Sequence, residues 1–450
     1  MSASRLNFPV RLFILSLAVL APALRAETWT LARAIAVAQA DNPDARIAQE
    51  RLAGAEALIA QARSARLPQL SVQTRYTETN SPLVAFGAIL NQRAFNFGLD
   101  FNQPGRIDNL NATGTVAYNL YSGGRATAGL AAARAGRAAA EQDVQAARQQ
   151  LAGAAAKAYF DLRKAREAVT AIEGGVRSYT AAVAAAQARF EAGQLLKADL
   201  LGLQVQLAQT QEALSTARHQ AALSEKVFFL ILGRASAGPV ELAEPDATVA
   251  RLVLPAATET PQRPELAGLQ HREQAAEAMV ASARGARRPT VNAFASYQYD
   301  HGWQTRRGAD SWLAGVSADL NLFDGGQTGG RIRQSLAQLA EVKELLRKAE
   351  LGIGLEVEQA RLAHTDAAGR VAVSELAVAQ AEESAALTRL RFEKGAVLTA
   401  ELIGAESRLI EARMRRTVAQ ADAQLAVADL RRALGLPILE QSESIQPNHE

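Results

Sequence analysis

The 450-residue sequence predicts a membrane α+β fold: a trimeric 12-stranded β-barrel, with four strands per chain, continued by a long α-helical coiled-coil barrel. Three observations support this prediction. The chain contains an internal two-fold repeat, it has four alternating segments of about ten residues, and each repeat carries a helical pattern of about 65 residues.

Residues 1–26 have the composition of a secretory signal peptide. Arg5 and Arg11 lie near the start, and residues 12–24 are apolar. This apolar run is shorter than the roughly 20 residues that a spanning helix needs. Cleavage removes Arg5, Arg11 and Arg25 but no acid, so the formal net charge falls from +3 to 0. The charge therefore gives no indication of nucleic-acid binding.

An offset of 202 residues aligns most of the two repeats without gaps. The matched segments are Gly123-Gly124 with Gly325-Gly326, Arg189-Phe190-Glu191 with Arg391-Phe392-Glu393, and Leu232-Gly233 with Leu434-Gly435. Upstream the offset is 221, as in Pro43 with Pro264 and Pro68 with Pro289. The first repeat therefore has 19 extra residues, which we assign to a surface loop over Ser81 to Asp108, rich in Asn, Gly and Pro.

Both repeats predict the same order of elements: a helix, a β-hairpin and a long helical hairpin. The first repeat, 27–240, has its β-hairpin at 68–121 and its helical hairpin at 123–233. A connector, 241–263, follows. The second repeat, 264–435, has its β-hairpin at 289–323 and its helical hairpin at 325–435, and a polar tail completes the chain at 436–450.

The four strands alternate between two faces. In each strand one face carries the more apolar residues: Leu70, Val72, Thr74 and Tyr76 in the first; Val116, Tyr118 and Leu120 in the second; Val291, Ala293, Ala295, Tyr297 and Tyr299 in the third; and Trp312, Ala314, Val316, Ala318, Leu320 and Leu322 in the fourth. The opposite face of the first two strands is mainly polar. Strands of this length span the hydrocarbon layer of a bilayer when they are tilted.

The helical pattern after each Gly-Gly pair extends to Phe190 or Phe392. A helix of that length is on the order of 100 Å long, which no ordinary globular core accommodates. The positions that recur every seven residues indicate a coiled coil; they are Ile332, Leu339, Leu346, Ile353, Ala360 and Ala367, and Leu200, Leu207, Leu214, Ala221 and Phe228 after the turn. Gly193 and Gly395 end the long helices.

Four strands cannot close a barrel, and an open sheet edge in lipid leaves backbone groups unpaired at a cost of several kcal/mol each. Three copies give 12 strands, an even number with room for a lumen. The alternative is a periplasmic structural coiled-coil protein whose strands form an ordinary half-buried sheet. That alternative explains the heptads but not four membrane-length strands at the same end of both helical hairpins.

Several motifs, in this order and duplicated at a fixed offset, resemble the TolC family of outer-membrane efflux proteins. They are Asn42-Pro43, Tyr121-Ser122-Gly123-Gly124, Leu322-Phe323-Asp324-Gly325-Gly326, Arg391-Phe392-Glu393-x-Gly395 and Leu434-Gly435. The resemblance implies a homotrimer in outer-membrane lipid with its helical part in the periplasm. It also implies a passive exit duct of a tripartite efflux or type I secretion system, served by a periplasmic adaptor (membrane fusion) protein and an inner-membrane pump. Some relatives carry an acylated cysteine, whereas this chain has no cysteine.

No motif predicts an enzyme, a cofactor or a metal site. Residues 325–330 resemble a phosphate-binding loop, but no Lys-Ser or Lys-Thr follows, so the glycines Gly123, Gly124, Gly325 and Gly326 are assigned to strand–helix junctions. The five histidines show no i, i+4 pairing and no acidic partner at ligand spacing.

The turns between the long helices are the candidate sites. Adaptor docking is expected at exposed residues of the two tips, although packing within the helical barrel also explains them: Gly193, Leu195, Leu196, Gly395, Val397 and Leu398. Asp199 and Glu401 match the first carboxylate after each turn in the TolC family, and the resemblance makes them candidates for a charged periplasmic entrance. Capping of the following helix is their alternative role. The family's second acid and basic partner are replaced by Gly404 and Val397.

The two β-hairpin loops are expected to point out of the cell, because they lie opposite the helical rods. The predicted mobile tips are Ser81 to Asp108 and Gly302 to Ala309.

Overall fold

The computed structural model describes residues 27–235, 240–243 and 262–439. The predicted signal peptide, most of the predicted connector and residues 440–450 of the predicted tail lie outside the described residues. The described chain forms a four-stranded sheet at one end, two long helical hairpins, and a small mixed body packed against these hairpins.

The sheet is antiparallel, in the order β2 (Gln69–Thr79), β3 (Ile107–Tyr121), β5 (Thr290–Gly302) and β6 (Arg307–Asp319). The register places the predicted apolar positions side by side across all four strands. One such row is Leu70, Val116, Ala295 and Ala314, and the next is Val72, Gly114, Tyr297 and Trp312. The alternation predicted from the sequence is therefore confirmed as one continuous apolar face. β2 and β6 are the open edges.

The helical hairpins consist of α4 (Arg125–Glu191) with α5 (Lys197–Ile231), and α7 (Gln327–Glu393) with α8 (Thr399–Ala433). α4 and α7 each have 67 residues, and α5 and α8 each have 35. The predicted heptad positions Ile353, Ala360 and Ala367 are buried, because α7 packs along α8. α4 packs on both α5 and α8 and so joins the two hairpins.

The mixed body lies beside the middle of the long helices. It contains β1 (Glu27–Trp29) paired in parallel with β4 (Val240–Leu242), and the helices α1 (Leu31–Asp41), α2 (Pro43–Ser64) and α6 (Pro264–Gly285). Its core is aromatic, with Trp29 in edge-to-face contact with Phe228 and Phe229. None of the described helices is long and apolar enough to cross a bilayer.

Two details of the predicted hairpins are wrong. The segment Ser81 to Asp108 is not an irregular loop throughout, because it contains α3 (Pro82–Asn91), and β3 already begins at Ile107. Pro82 occupies the first helical turn, where its missing N–H costs nothing. In the second hairpin the tip is only 303–306, while Leu320 and Leu322 follow the end of β6 and are not part of the strand.

Candidate functional sites at the helical turns and strand–helix junctions

Left-handed glycines terminate both long helices. Gly193 and Gly395 have φ of 71° and 72°. At each turn the next residue donates its N–H back to a helical carbonyl, Gln194 to Arg189 and Ala396 to Arg391, both at 2.8 Å. This hydrogen bonding satisfies carbonyls that the helix end leaves free and reverses the chain.

The predicted docking residues fall into two groups. Leu195 and Val397 are half-buried and pack against the tip core, which contains Tyr179, Phe392 and other apolar residues. Leu196 and Leu398 are exposed and precede the returning helices as their N-cap residues. Only the second pair therefore presents an apolar surface at the end of the rods.

Asp199 and Glu401 occupy equivalent positions in the first turns of α5 and α8. The N-cap residues are leucines, so no N-cap side chain accepts a hydrogen bond from the first N–H groups of either helix. No ion pair involves either carboxylate within residues 27–235, 240–243 and 262–439. Both carboxylates are thus placed to interact favourably with the positive end of the helix dipole.

No sequence pattern indicates the contacts that hold the two tips together. Arg189 of α4 donates from Nη1 to the Phe392 carbonyl oxygen at 2.8 Å, and its guanidinium lies 5.1 Å from the Phe392 ring centroid. Tyr179 of α4 is fully buried and donates to the carbonyl oxygen of Ile403 at 3.1 Å, with its hydroxyl 2.9 Å from Ser407 Oγ. Burial raises the pKa of Tyr179, so its hydroxyl stays protonated and able to donate.

A charged pair lies inside the second tip. Glu406 is 1% exposed, and both of its carboxylate oxygens accept hydrogen bonds from Arg389, one of them from Nη2 at 3.1 Å. The hydrogen bond to Glu406 raises the pKa of Arg389. Arg389 lies six residues before Gly395 and Glu406 eleven residues after it, so their spacing in the sequence does not predict their pairing. The first repeat has Gln187 and Gln204 at these positions.

The four junction glycines all have left-handed backbones, with φ between 65° and 90°. At the first junction a Cβ on Gly123 would collide with the carbonyl oxygen of Gly285 at the end of α6. Ser122 and Asp324 cap the helices that follow: Ser122 Oγ accepts from Ala126 N at 3.0 Å, and Asp324 Oδ2 accepts from Thr328 N at 2.8 Å. The glycines therefore serve the sharp change from strand to helix.

Within the described ranges, no group of three or more His, Asp or Glu side chains is arranged to hold a metal ion. The described residues instead form a sheet with two open edges, β2 and β6, extended by two long helical hairpins.

Known outer-membrane proteins share this sequence pattern and this fold. The sequence profile of the outer membrane efflux protein family matches residues 34–234 and 259–436. Protein CyaE of Bordetella pertussis is 28% identical over 440 residues, which cover 92% of this chain and 85% of the relative. Among solved structures, the outer membrane protein VceC of Vibrio cholerae superposes with a TM-score of 0.76 at 21% identity, covering 91% of this chain and 96% of that one. The open state of the MtrE outer membrane channel of Neisseria gonorrhoeae gives 0.74 at 18% identity, covering 92% and 91%.

Proposed function

Because the chain belongs to the outer membrane efflux protein family, we propose that three copies form a passive duct supplied by an inner-membrane pump through a periplasmic adaptor protein. The protein is an outer-membrane channel subunit with its helical part in the periplasm. The pump, the adaptor and their contact surfaces on this chain are the proposed part.

The sheet requires neighbouring copies. Its edge strands β2 and β6 are open, and a bilayer offers no hydrogen-bond partner to their backbone groups. Pairing β6 of one copy with β2 of the next closes a barrel of 12 strands. The apolar face then contacts lipid, and the opposite face, with rows such as Gln73, Thr113, Gln298 and Ser311, lines a polar lumen.

The helices give the strongest support for a trimer. One face of α4 packs on α8, whereas the equivalent face of α7 has no helix packed on it in the described chain. On α4, Gly153 and Gly174 lie against Arg432 and Arg413 of α8. The equivalent residues of α7, 202 positions later, are Leu355 and Leu376, which are 60% and 61% exposed.

The α5 helix of the next copy supplies the missing partner. By the same offset, the counterpart of Arg432 is Leu230, which is 70% exposed. Leu355 of one copy thus faces Leu230 of the next. Each subunit then repeats between chains the packing that α4 and α8 make within one chain, which closes the helical wall.

In the proposed duct, the two helical turns form the periplasmic end of the assembly. Exposed Leu196 and Leu398 lie at the end of the rods furthest from the sheet, where a periplasmic partner reaches them. Asp199 and Glu401 each lie three residues after these leucines, and a trimer places three copies of each acid around its axis. These residues are the proposed docking surface and entrance.

A charged substitution at Leu355 tests the assembly. Leu355→Asp should abolish heat-resistant trimers in outer-membrane extracts, because it puts three carboxylates into an apolar contact. Ala363→Asp, exposed on α7 eight residues further along and rotated by about 80° around the helix axis, is the matched control and should assemble normally. Trimers of undiminished heat resistance in Leu355→Asp would contradict the proposed contact. Recovery of the wild-type protein in the soluble periplasmic fraction would favour the structural coiled-coil alternative.

A further inference from the structure

The α3 helix lies on the lumen side of the sheet, at the end opposite the helical rods. It contacts β3, β5 and β6. Its buried residues Ala85 and Ile89 pack on Ile107, which alternation places on the same face as the polar lumen residues Asn109 and Asn111. α3 therefore covers part of the mouth of the barrel and not its lipid-facing surface.

Gln92 fixes α3 in this position. It is fully buried, and its Nε2 donates to the Asp108 carbonyl oxygen at 2.7 Å and to Asn109 Oδ1 at 2.9 Å. Its Oε1 accepts from the Thr305 hydroxyl at 2.6 Å. A Cβ on Gly302 would collide with the Gln92 side chain. The α3 helix is thus tied to both hairpin tips and is not a loose loop.

The face of α3 that points away from the wall is apolar and exposed. Helical spacing places Leu83 and Leu90 opposite Ala85 and Ile89, and Leu83 is 82% exposed. Gly87 lies between them, and a Cβ at this position would have no other atom within 4 Å. Beside this face, Phe86, Phe95 and Phe101 form an aromatic cluster with exposed Phe97. The described part of a single chain therefore leaves this apolar surface in water.

The size of the barrel indicates what covers the exposed apolar face of α3. Twelve strands about 4.8 Å apart and tilted by about 40° enclose a radius of about 12 Å. A helix with its side chains is about 10–12 Å wide, so a helix packed on the inner wall reaches the axis. Three such helices fill the mouth.

We propose that the α3 helices of three copies meet at the axis and close the outer mouth with an apolar constriction. The occupant of the exposed face of α3 is the same segment of the other two copies. A narrow apolar constriction excludes water, and ions pass only when it widens. The resting duct is therefore closed to small ions at its outer end. This inference rests on the trimeric duct proposed above.

Single-channel recording in planar bilayers tests the constriction. The double variant Leu83→Ser/Leu90→Ser should wet the mouth and raise the conductance by about twofold or more. Leu313→Ser is the control, because Leu313 is exposed on the lumen face below the mouth. Heat-resistant trimers establish that each variant has folded. An unchanged conductance in the double variant would overturn the proposal.

Disulfide cross-linking tests the contact without relying on conductance. The chain has no cysteine, so Leu83→Cys introduces a single thiol. Oxidised trimers should yield covalent dimers on non-reducing gels, while Ala295→Cys, on the lipid-facing side of β5, should not.

Two other outcomes overturn the proposal. Intact trimers without cross-links at position 83 would overturn the α3 contact and leave the duct standing, and quenching of a bimane probe there by spin-labelled lipid would assign the face to lipid. Failure of the wild-type chain to form trimers would overturn both the duct and the constriction.

Discussion

Arg189 donates a hydrogen bond to the carbonyl oxygen of Phe392 and covers its ring, so the end of one long helix is held against the end of the other. Phe392 is 2% exposed as a result, whereas its equivalent in the first repeat, Phe190, is 36% exposed. Arg391 is the equivalent of Arg189 and is also exposed. Because Arg391 and Phe190 are both exposed in one subunit, we expect Arg391 to make the equivalent contact with Phe190 of a neighbouring copy.

Replacing Arg391 with alanine should therefore weaken the trimer at its tip. We expect a loss of about 1 kcal/mol per contact, or about 3 kcal/mol per trimer, from the hydrogen bond and the cation–π contact. The temperature at which trimers dissociate in detergent should fall by several degrees. Glu375→Ala, exposed on the same helix, should leave it unchanged. A dissociation temperature equal to that of the wild type would show that Arg391 makes no contact between subunits.

Removing Asp199 and Glu401 together should change ion selectivity. Six carboxylates near the axis attract cations, so their replacement by alanine should reduce the cation preference by about threefold and weaken block by divalent cations. Reversal potentials across a salt gradient measure the first effect, and titration with Mg²⁺ measures the second. If both stay at wild-type values, the carboxylates only stabilise the starts of α5 and α8.

Aspartate at Leu196 or Leu398 should abolish export while trimers still form. These leucines contact little within the subunit, so a charge there costs the fold little but opposes an apolar partner surface. Substrate accumulation in cells measures export, and Leu398→Met serves as the conservative control. Normal export by both aspartate variants would exclude docking at these residues.

The sequence predicted the parts of the fold that have a repeat or a period. The alternation of Leu70 to Tyr76 and the heptads of α7 are local patterns, and each corresponds to an observed face or stripe. The α3 helix was missed because Asn, Gly and Pro flank it and because contacts of Gln92 with distant residues hold it in place.

The tip contacts were missed for a different reason. Arg189 and Arg391 sit in identical motifs, yet in the described part of the chain only Arg189 makes this contact. A duplicated sequence cannot distinguish a contact inside one subunit from the equivalent contact between two. Tyr179 and Ser407 are also unique to one copy, since Ala381 and Val205 occupy the equivalent positions.

The Arg389–Glu406 pair should show an unequal response to its two single truncations. Arg389→Ala leaves a buried carboxylate without its partner and should cost about 2–4 kcal/mol, whereas Glu406→Ala leaves an arginine whose side chain is partly exposed and should cost less. Replacement of both residues by leucine should recover much of the loss. Thermal unfolding midpoints of the three variants measure the order. Equal losses from both single variants would contradict this account.

Acid should destabilise the joint between α6 and the second helical hairpin. Arg263 is buried and binds Glu265 at 2.9 Å and Glu356 at 3.0 Å, while Arg432 binds Glu356 at 2.7 Å. Burial raises the pKa of Glu265, but the hydrogen bond and charge of Arg263 outweigh it and hold that pKa below its usual value.

The folded state therefore favours the ionised carboxylate of Glu265. Its contribution to stability is fully present above the unfolded pKa of about 4.3 and is lost as the pH falls through the lower folded value. The thermal midpoint of the wild type should decline across this window. Glu265→Gln should decline less steeply there, because no proton is taken up at that position on unfolding. Glu277→Gln, on the exposed face of the same helix, should follow the wild-type curve. A Glu265→Gln curve parallel to the wild type throughout would show that this carboxylate does not couple folding to pH.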